Sequence, residues 1–515
     1  MNTSGRLFRG STLRLTSLIV NIGVGFYILP FLVHELGDET YGIWVMVGSV
    51  FGFYGLLDMG LGIALHRSLI RAIHGGDEAE SLTVYSNATI LFLLIGAVSF
   101  VITVMIMLAA PHFSDSEFYT SLFQSLVLIL GIKTAVLFPL WRSYGVLVAR
   151  YRYDILSVTK IVILLIRTFT IVIFVSRGFG IVTVAIIVSL GEALECLIIR
   201  SYAKQLEPGL RLLLSSVDFS RIKKDFNYGK YVFLVTAADK IRFSIDNFVV
   251  AGLVGIASVT HYTVAITLIH YFNQIIESIF GVISPLFNEY HKKEEWDNLK
   301  ETFIVSIELT TMSAILIGGG LIVLGQQFIS LWMGDGYSDS YTVLLVLGAS
   351  IIVANSQAPG VTALFAIAKH KYYAKIISIE AVVNLLISIV LARYIGIVGV
   401  AIGTAVPLLF NKLVIQPVYV CNQLGLSTVA YYRALFKLFA AGLVFFSLVA
   451  IIISQLSIDS YSRLFAASML VAIIYALVFV RVFMSDNTLR HIYGMLPSYL
   501  HSSFRVVAGK FPIHV

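Results

Sequence analysis

The chain has 515 residues, of which 58% are hydrophobic and 13% charged, with a formal net charge of +7. Soluble domains carry about 25% charged residues, so this chain has about half the charge that wets a folded surface. A soluble enzyme and a secreted disulfide scaffold are excluded, and the two cysteines, Cys196 and Cys421, are too few and too far apart for a metal cluster. The 39 Gly, 35 Phe and 26 Tyr suit closely packed membrane helices that end in aromatic belts.

A bilayer core about 30 Å thick takes roughly 20 apolar residues per helix. Fourteen such runs are predicted, at 13–36, 41–66, 83–109, 119–141, 155–176, 179–199, 230–252, 258–287, 302–324, 341–367, 373–394, 397–420, 434–455 and 464–483. They are continuous and lack the alternation of barrel strands, so an all-α polytopic membrane protein is expected. Arg6, Arg9 and Arg14 precede an apolar stretch longer than a signal-peptide core, and no small-residue cleavage site follows.

Lys and Arg set the orientation. At and between the ends of the runs, 27 of them fall on one side, including the N-terminus, the segment from Arg200 to Lys230 and the C-terminal tail, and three (Arg177, Arg393, Arg463) on the other. That bias predicts both termini in the cytoplasm and an even number of spans. The longest loop, 203–228, contains RLLLSSVDFSRIKKDF, a basic amphipathic stretch expected to lie on the membrane surface. External loops are short and no triad, P-loop or metal motif is present, so neither an enzyme nor a cofactor is expected.

The chain also matches itself. Shifting by 218 residues places Gly37 on Gly255 and Trp44 on Tyr262; shifting by 219 places Tyr153 on Tyr372 and Gly180 on Gly399. Transporters are often built from such repeats. The organisation expected is a six-helix half (1–202), an amphipathic cytoplasmic linker (203–229), a second six-helix half (230–424), an added helix pair (425–484) and a cytoplasmic tail (485–515).

LGDETYGIWVMVGSVFGFYGLLDMGLGIALHR resembles the first hairpin of the bacterial polysaccharide repeat-unit (O-antigen) flippases of the multidrug/oligosaccharidyl-lipid/polysaccharide exporter superfamily. DNFVVAGLVGIASVTHYTVA resembles their seventh–eighth hairpin, and the stretch from AIAKHKYYAK to YIGIVGVAIGTA their basic turn, long helix and Gly-rich helix. The resemblance covers about 430 of the 515 residues as a diffuse pattern. It implies a flippase in the bacterial cytoplasmic membrane that moves an undecaprenyl-diphosphate-linked oligosaccharide outward by alternating access. The partners implied are that lipid-linked substrate, membrane lipid, a coupling H⁺ or Na⁺, and the polysaccharide polymerase and chain-length machinery, with no nucleic acid. A multidrug or cation antiporter of the same superfamily is the alternative. A lipid II flippase is another, although such proteins place cavity arginines on their first two helices and here no charge lies between Leu15 and Val33.

A charge at mid-bilayer costs at least about 2.5–3.5 kcal/mol, so each one should face a cavity or a partner. Lys133, Arg167, Lys240 and Arg242 lie near the midplane at the helical rise of about 1.5 Å per residue, and are the candidates for a diphosphate and sugar cavity. Arg242 and Asp246 are four apart and neutralise each other in a purely structural reading. Lys160 shares a helix face with Arg167 but is also placed to snorkel to the cytoplasmic side. Glu192 and Glu195, three apart, are candidates for ion coupling; the competing reading makes Glu192 a counter-ion for Arg167. Asp58, in the DxGLG setting, and Asp246 complete the coupling or gating candidates. Pro30, Pro139, Pro285, Pro359, Pro407 and Pro417 fall within the runs, where each is expected to permit a kink.

Overall fold

The structure is a computed structural model that describes residues 3–57, 61–112, 116–218, 220, 237, 240, 244–281, 283–486 and 488–489. Among these residues every regular element is helical, and the chain divides into two compact units, Met1–Thr260 and His261–Val515.

The first unit holds α1 (Thr3–Leu36), α2 (Asp38–Tyr54), α3 (Leu61–Gly75), α4 (Glu78–Ala109), α5 (Glu117–Leu137), α6 (Arg142–Ala149), α7 (Tyr153–Val175), α8 (Ile181–Leu206) and α9 (Asp246–Leu253). Local chemistry starts several of them. Asp77 caps α4 by accepting from the Glu80 amide at 2.8 Å, and Ser116 accepts from the Tyr119 amide at the head of α5. Without a water-driven hydrophobic effect, membrane helices pack through small residues. On α4 and α5 these are Gly96, whose missing Cβ would meet the Ala135 carbonyl, and Gly131, whose missing Cβ would meet the Thr103 side chain. Thr103 also hydrogen-bonds the Tyr54 hydroxyl at 2.9 Å, which ties α2 to the same contact.

After α8 the chain is not helical over 207–213, and it makes only a short 3₁₀ turn at Leu214–Ser216. Two buried side chains of α4 hold this segment. The Leu213 amide donates to Ser86 Oγ at 3.1 Å, and Asn87 both accepts from the Asp218 amide (2.9 Å) and donates to its carbonyl (3.2 Å). The described part of the expected surface-lying linker is therefore pinned to α4, and the remainder of that stretch lies outside the described residues.

The next helix, α10 (Ile256–Phe280), crosses from one unit to the other; the second unit continues with α11 (Ile283–Lys292), α12 (Trp296–Met333), α13 (Ser338–Ser356), α14 (Ala358–Ala366), α15 (His370–Phe410), α16 (Gln416–Leu424), α17 (Thr428–Ser454) and α18 (Tyr461–Val478). Although α15 is continuous by its hydrogen bonds, Ile395 and Gly396 have non-helical dihedrals, with φ at +59° in Gly396. Asn384 Nδ2 donates to Thr404 Oγ1 at 3.1 Å and Ser388 Oγ to the Val400 carbonyl at 3.3 Å. In a straight helix residues twenty apart are about 30 Å apart, so α15 is a hairpin of two antiparallel arms. A π-helical turn at Asn411–Ile415 follows and buries the consecutive polar residues Asn411 and Lys412. Lys412 donates to Gln416 Oε1 (2.7 Å) and Tyr373 OH (3.2 Å), Gln416 to the Gln357 carbonyl (2.8 Å), and Tyr431 OH to Gln357 Oε1 (2.6 Å). This network joins α14, α15, α16 and α17. The last pair, α17 and α18, packs on α12, with Phe446 seated where a Gly319 side chain would be. The head of the tail docks there too, since Ser485 and Thr488 hydroxyls both donate to Glu308 at 2.7 Å.

Among the described residues ten helices are long and apolar enough to cross a membrane, or eleven if α10 and α11, bent by 44°, count as one. The fourteen expected runs do not all appear as such. The run at 41–66 is broken: α2 ends at Tyr54, a turn follows, and α3 begins at Leu61, leaving two pieces of 17 and 15 residues. The run at 230–252 lies mostly outside the described residues, and those at 373–394 and 397–420 join through the α15 hairpin. The prolines also need correction. Pro30 and Pro407 lie well inside helices, and Pro417 follows the π turn within the continuous helical stretch that ends at Leu424; Pro139 makes a 3₁₀ turn, Pro359 sits in a first turn, and Pro285 is the third residue of α11. First-turn positions tolerate proline because their amides have no helical partner.

Candidate functional site

In the first unit, α1, α5, α7 and α8 surround a cavity of about 480 Å³. Spacing puts its polar residues there. Lys160 and Arg167, seven apart on α7, share a face, as do Glu192 and Glu195 on α8. Lys133 comes from α5, Trp141 and Tyr144 from the turn and short helix that follow it, and Asn21 from α1.

The deep end is an ion-paired cluster. Lys133 Nζ lies 2.8 Å from Glu192 Oε2, and Arg167 Nη1 lies 4.0 Å from Glu192 Oε1, so one carboxylate spans two cations. The Glu192 side chain is 38% exposed against 15% for Lys133, which places the carboxylate on the open side of the pair. Gly191 of α8 packs beside Arg167. A Cβ there would stand 3.4 Å from Arg167 Cδ. On the same lining, the Tyr144 hydroxyl donates to Glu195 Oε1 at 2.8 Å. Three basic and two acidic side chains thus line one cavity within apolar helices long enough to cross a membrane. A second cavity of about 690 Å³, lined by α2, α4, α5, α9 and Ile256, has no charged side chain among the described residues that line it.

Of the eight candidate residues, Lys133, Arg167, Glu192 and Glu195 come together. Glu192 answers Lys133 more closely than Arg167, the partner expected from the sequence. Lys240 is elsewhere, its Nζ 3.7 Å from where a Gly52 Cβ would stand. Equal depth along two helices does not make two side chains neighbours. Asp246 is buried in the first turn of α9, away from the lining of this cavity. Asp58 and Arg242 lie outside the described residues. Trp141, Tyr144 and Asn21 were not among the expected lining; the one sequence signal for the first two was FPLWRSYG, where Pro139 breaks the helix and turns the following aromatics inward. Among the described residues no cluster of three or more His, Cys, Asp or Glu is arranged to hold a metal ion.

A bundle of long apolar helices with paired charges between them defines a multi-pass membrane protein. The profile of the polysaccharide biosynthesis protein family matches residues 7–291, more than half of the sequence, and the chain belongs to that family. It is 22% identical to a putative O-antigen transporter of Shigella flexneri over 76% of this chain and 92% of that one. It is 23% identical to a probable low-salt glycan biosynthesis flippase, Agl15, of Haloferax volcanii over 79% of this chain and 82% of that one. Among solved structures, the lipid II flippase MurJ in an inward closed conformation superposes with a TM-score of 0.68 at 16% identity, covering 92% of this chain and 98% of that one. An inward-facing multidrug resistance MATE transporter superposes at 0.67 and 15% identity, covering 81% and 98%. These likenesses are of fold.

Proposed function

We propose that the chain is a flippase that carries an undecaprenyl-diphosphate-linked oligosaccharide from the cytoplasmic to the outer leaflet of a bacterial cytoplasmic membrane by alternating access, for surface polysaccharide assembly. Family membership and the names of the two relatives support the glycan side of this reading. The observation that carries it is the composition of the cavity, where Lys133, Lys160 and Arg167 outnumber Glu192 and Glu195. A cavity built to extrude cations needs the opposite balance, whereas phosphate oxygens take charge-assisted hydrogen bonds from Arg and Lys. The lipid tail stays in the bilayer while the charged head crosses through the protein.

In this reading the chain spans the membrane fourteen times with both termini in the cytoplasm, and its sequence halves are the two moving parts. Glu192 supplies the ion coupling. Alternation of the cavity would then tie substrate exit to ion entry, since binding at one site shifts the populations that the other site sees.

The test is reconstitution of the purified chain in liposomes with a fluorescent prenyl-diphosphate-linked sugar and a membrane-impermeant quencher. The expected result is that the inner-leaflet pool becomes accessible only with the protein present. Efflux of a lipophilic cation without movement of the lipid-linked sugar would replace this function with a multidrug one.

A further inference from the structure

The cations of the cavity differ in what they already hold. Lys133 and Arg167 share Glu192. Lys160 also lines the cavity, is exposed, and has no ion pair or hydrogen bond among the described residues. Depth separates them as well. At about 1.5 Å per residue, Lys160 lies roughly 10 Å from the Tyr153 end of α7 and Arg167 roughly 21 Å. Trp141, 38% exposed, lines the same cavity, its ring held by Phe138 at a centroid distance of 4.6 Å.

An unpaired ammonium and a braced, open indole on the lining of one cavity suit a ligand that is anionic at one point and presents an apolar ring face at another. Sugars have such faces, formed by their axial C–H groups, and phosphate supplies the anion. Phosphate oxygens have no donor hydrogen at neutral pH, so they select Lys160 and reject Glu195, whose carboxylate Tyr144 already occupies. A bare lipid tail needs no cation, and a lipophilic cation is repelled by one.

We propose that Lys160 and Trp141 form the first docking subsite of this cavity, for a phosphorylated sugar: Lys160 holds the phosphate next to the sugar and Trp141 stacks on the sugar ring. Lys133 and Arg167 take the anion later, when Glu192 gives them up. This assignment rests on the flippase reading and deepens it by dividing recognition between two side chains.

The test measures binding to the full-length purified protein in detergent, with neryl-diphosphate-linked glucose and sugar-free neryl diphosphate as probes. Lys160→Gln should weaken both probes by about tenfold or more, the loss of one charge-assisted hydrogen bond. Trp141→Leu should weaken only the sugar-bearing probe, and Trp141→Phe should restore it. Thermal midpoints of all variants near wild type confirm that the fold persists; a variant that unfolds is replaced by Lys160→Met or Trp141→Tyr and held to the same pattern. If wild type binds both probes and Lys160→Gln binds them equally well, Lys160 is a snorkelling residue and the subsite is wrong. If Trp141→Leu affects both probes alike or neither, Trp141 is a membrane anchor and the sugar assignment is wrong. If wild type binds neither probe but takes up a lipophilic cation, the flippase reading itself fails and takes the subsite with it.

Discussion

At the scale of single residues, Glu192 is the side chain that links the cavity's two deeper cations. Its carboxylate bridges Lys133 and Arg167, and the short contact to Lys133 is the stronger, since a charge-assisted hydrogen bond needs about 2.7–2.9 Å. A double-mutant cycle with Glu192→Gln, Lys133→Gln and both separates coupling from structure. If Glu192 couples, Glu192→Gln flips substrate down its gradient but no longer responds to a proton gradient, and adding Lys133→Gln restores nothing. Recovery of export in the double variant, indifferent to collapse of the proton gradient, would leave only a structural ion pair. Gly191 gives a second residue-scale prediction. Gly191→Val presses on Arg167 Cδ and should lower flipping about fivefold to tenfold while abundance in the membrane stays near wild type. The sequence made Lys133, Arg167, Glu192 and Glu195 legible because a charge in an apolar run stands out against its neighbours. It hid Gly191 and Trp141, because a glycine or an aromatic in a membrane helix looks like ordinary packing or interfacial anchoring.

Helices are held by two different means. On α4 and α5 the contact is steric: Gly131 sits against Thr103, and Thr103 in turn holds Tyr54 of α2. Gly131→Leu overpacks this point and should destabilise the fold by about 1–3 kcal/mol, read as a lower thermal midpoint in detergent, while Gly23→Leu, with nothing within 4 Å, should leave it unchanged. In the second unit the contact is polar. Tyr431→Phe removes the donor to Gln357 Oε1, both residues being buried, and should cost about 1–3 kcal/mol by leaving a buried acceptor without its hydrogen bond. An unchanged midpoint would mean that Gln357 finds another donor and that α17 is held by apolar packing alone. The helical class was legible from run length and hydropathy. The π turn at Asn411–Ile415 and the first-turn position of Pro359 were not, because hydropathy averages over a window wider than the break.

For the whole molecule the open quantity is how many times the chain crosses, and α15 with the helix after it is where the count turns. The segment Lys371–Leu424 runs 54 residues. Straight, it would extend about 81 Å, more than twice a bilayer core of about 30 Å. The bonds from Asn384 to Thr404 and from Ser388 to the Val400 carbonyl fold it back on itself, and Gly403 allows the close approach, since a Cβ there would collide with Ser388. The bend falls at Ile395–Gly396, just after Arg393 and Tyr394, and Tyr394 is 80% exposed. Two arms of about 25 residues each suffice to cross the bilayer twice, so Tyr394 should face outward while Lys371 and Leu426 face the cytoplasm. In a background with Cys196 and Cys421 replaced by serine, a single cysteine at Tyr394 should react with an impermeant maleimide on intact cells. Cysteines at Lys371 and Leu426 should react only after permeabilisation. Protection of Tyr394 in intact cells would make the hairpin re-entrant. The number of spans would then drop by two, the termini would stay on the same side as before, and the fourteen-span arrangement would be lost while the inward-facing basic loops remained as they are.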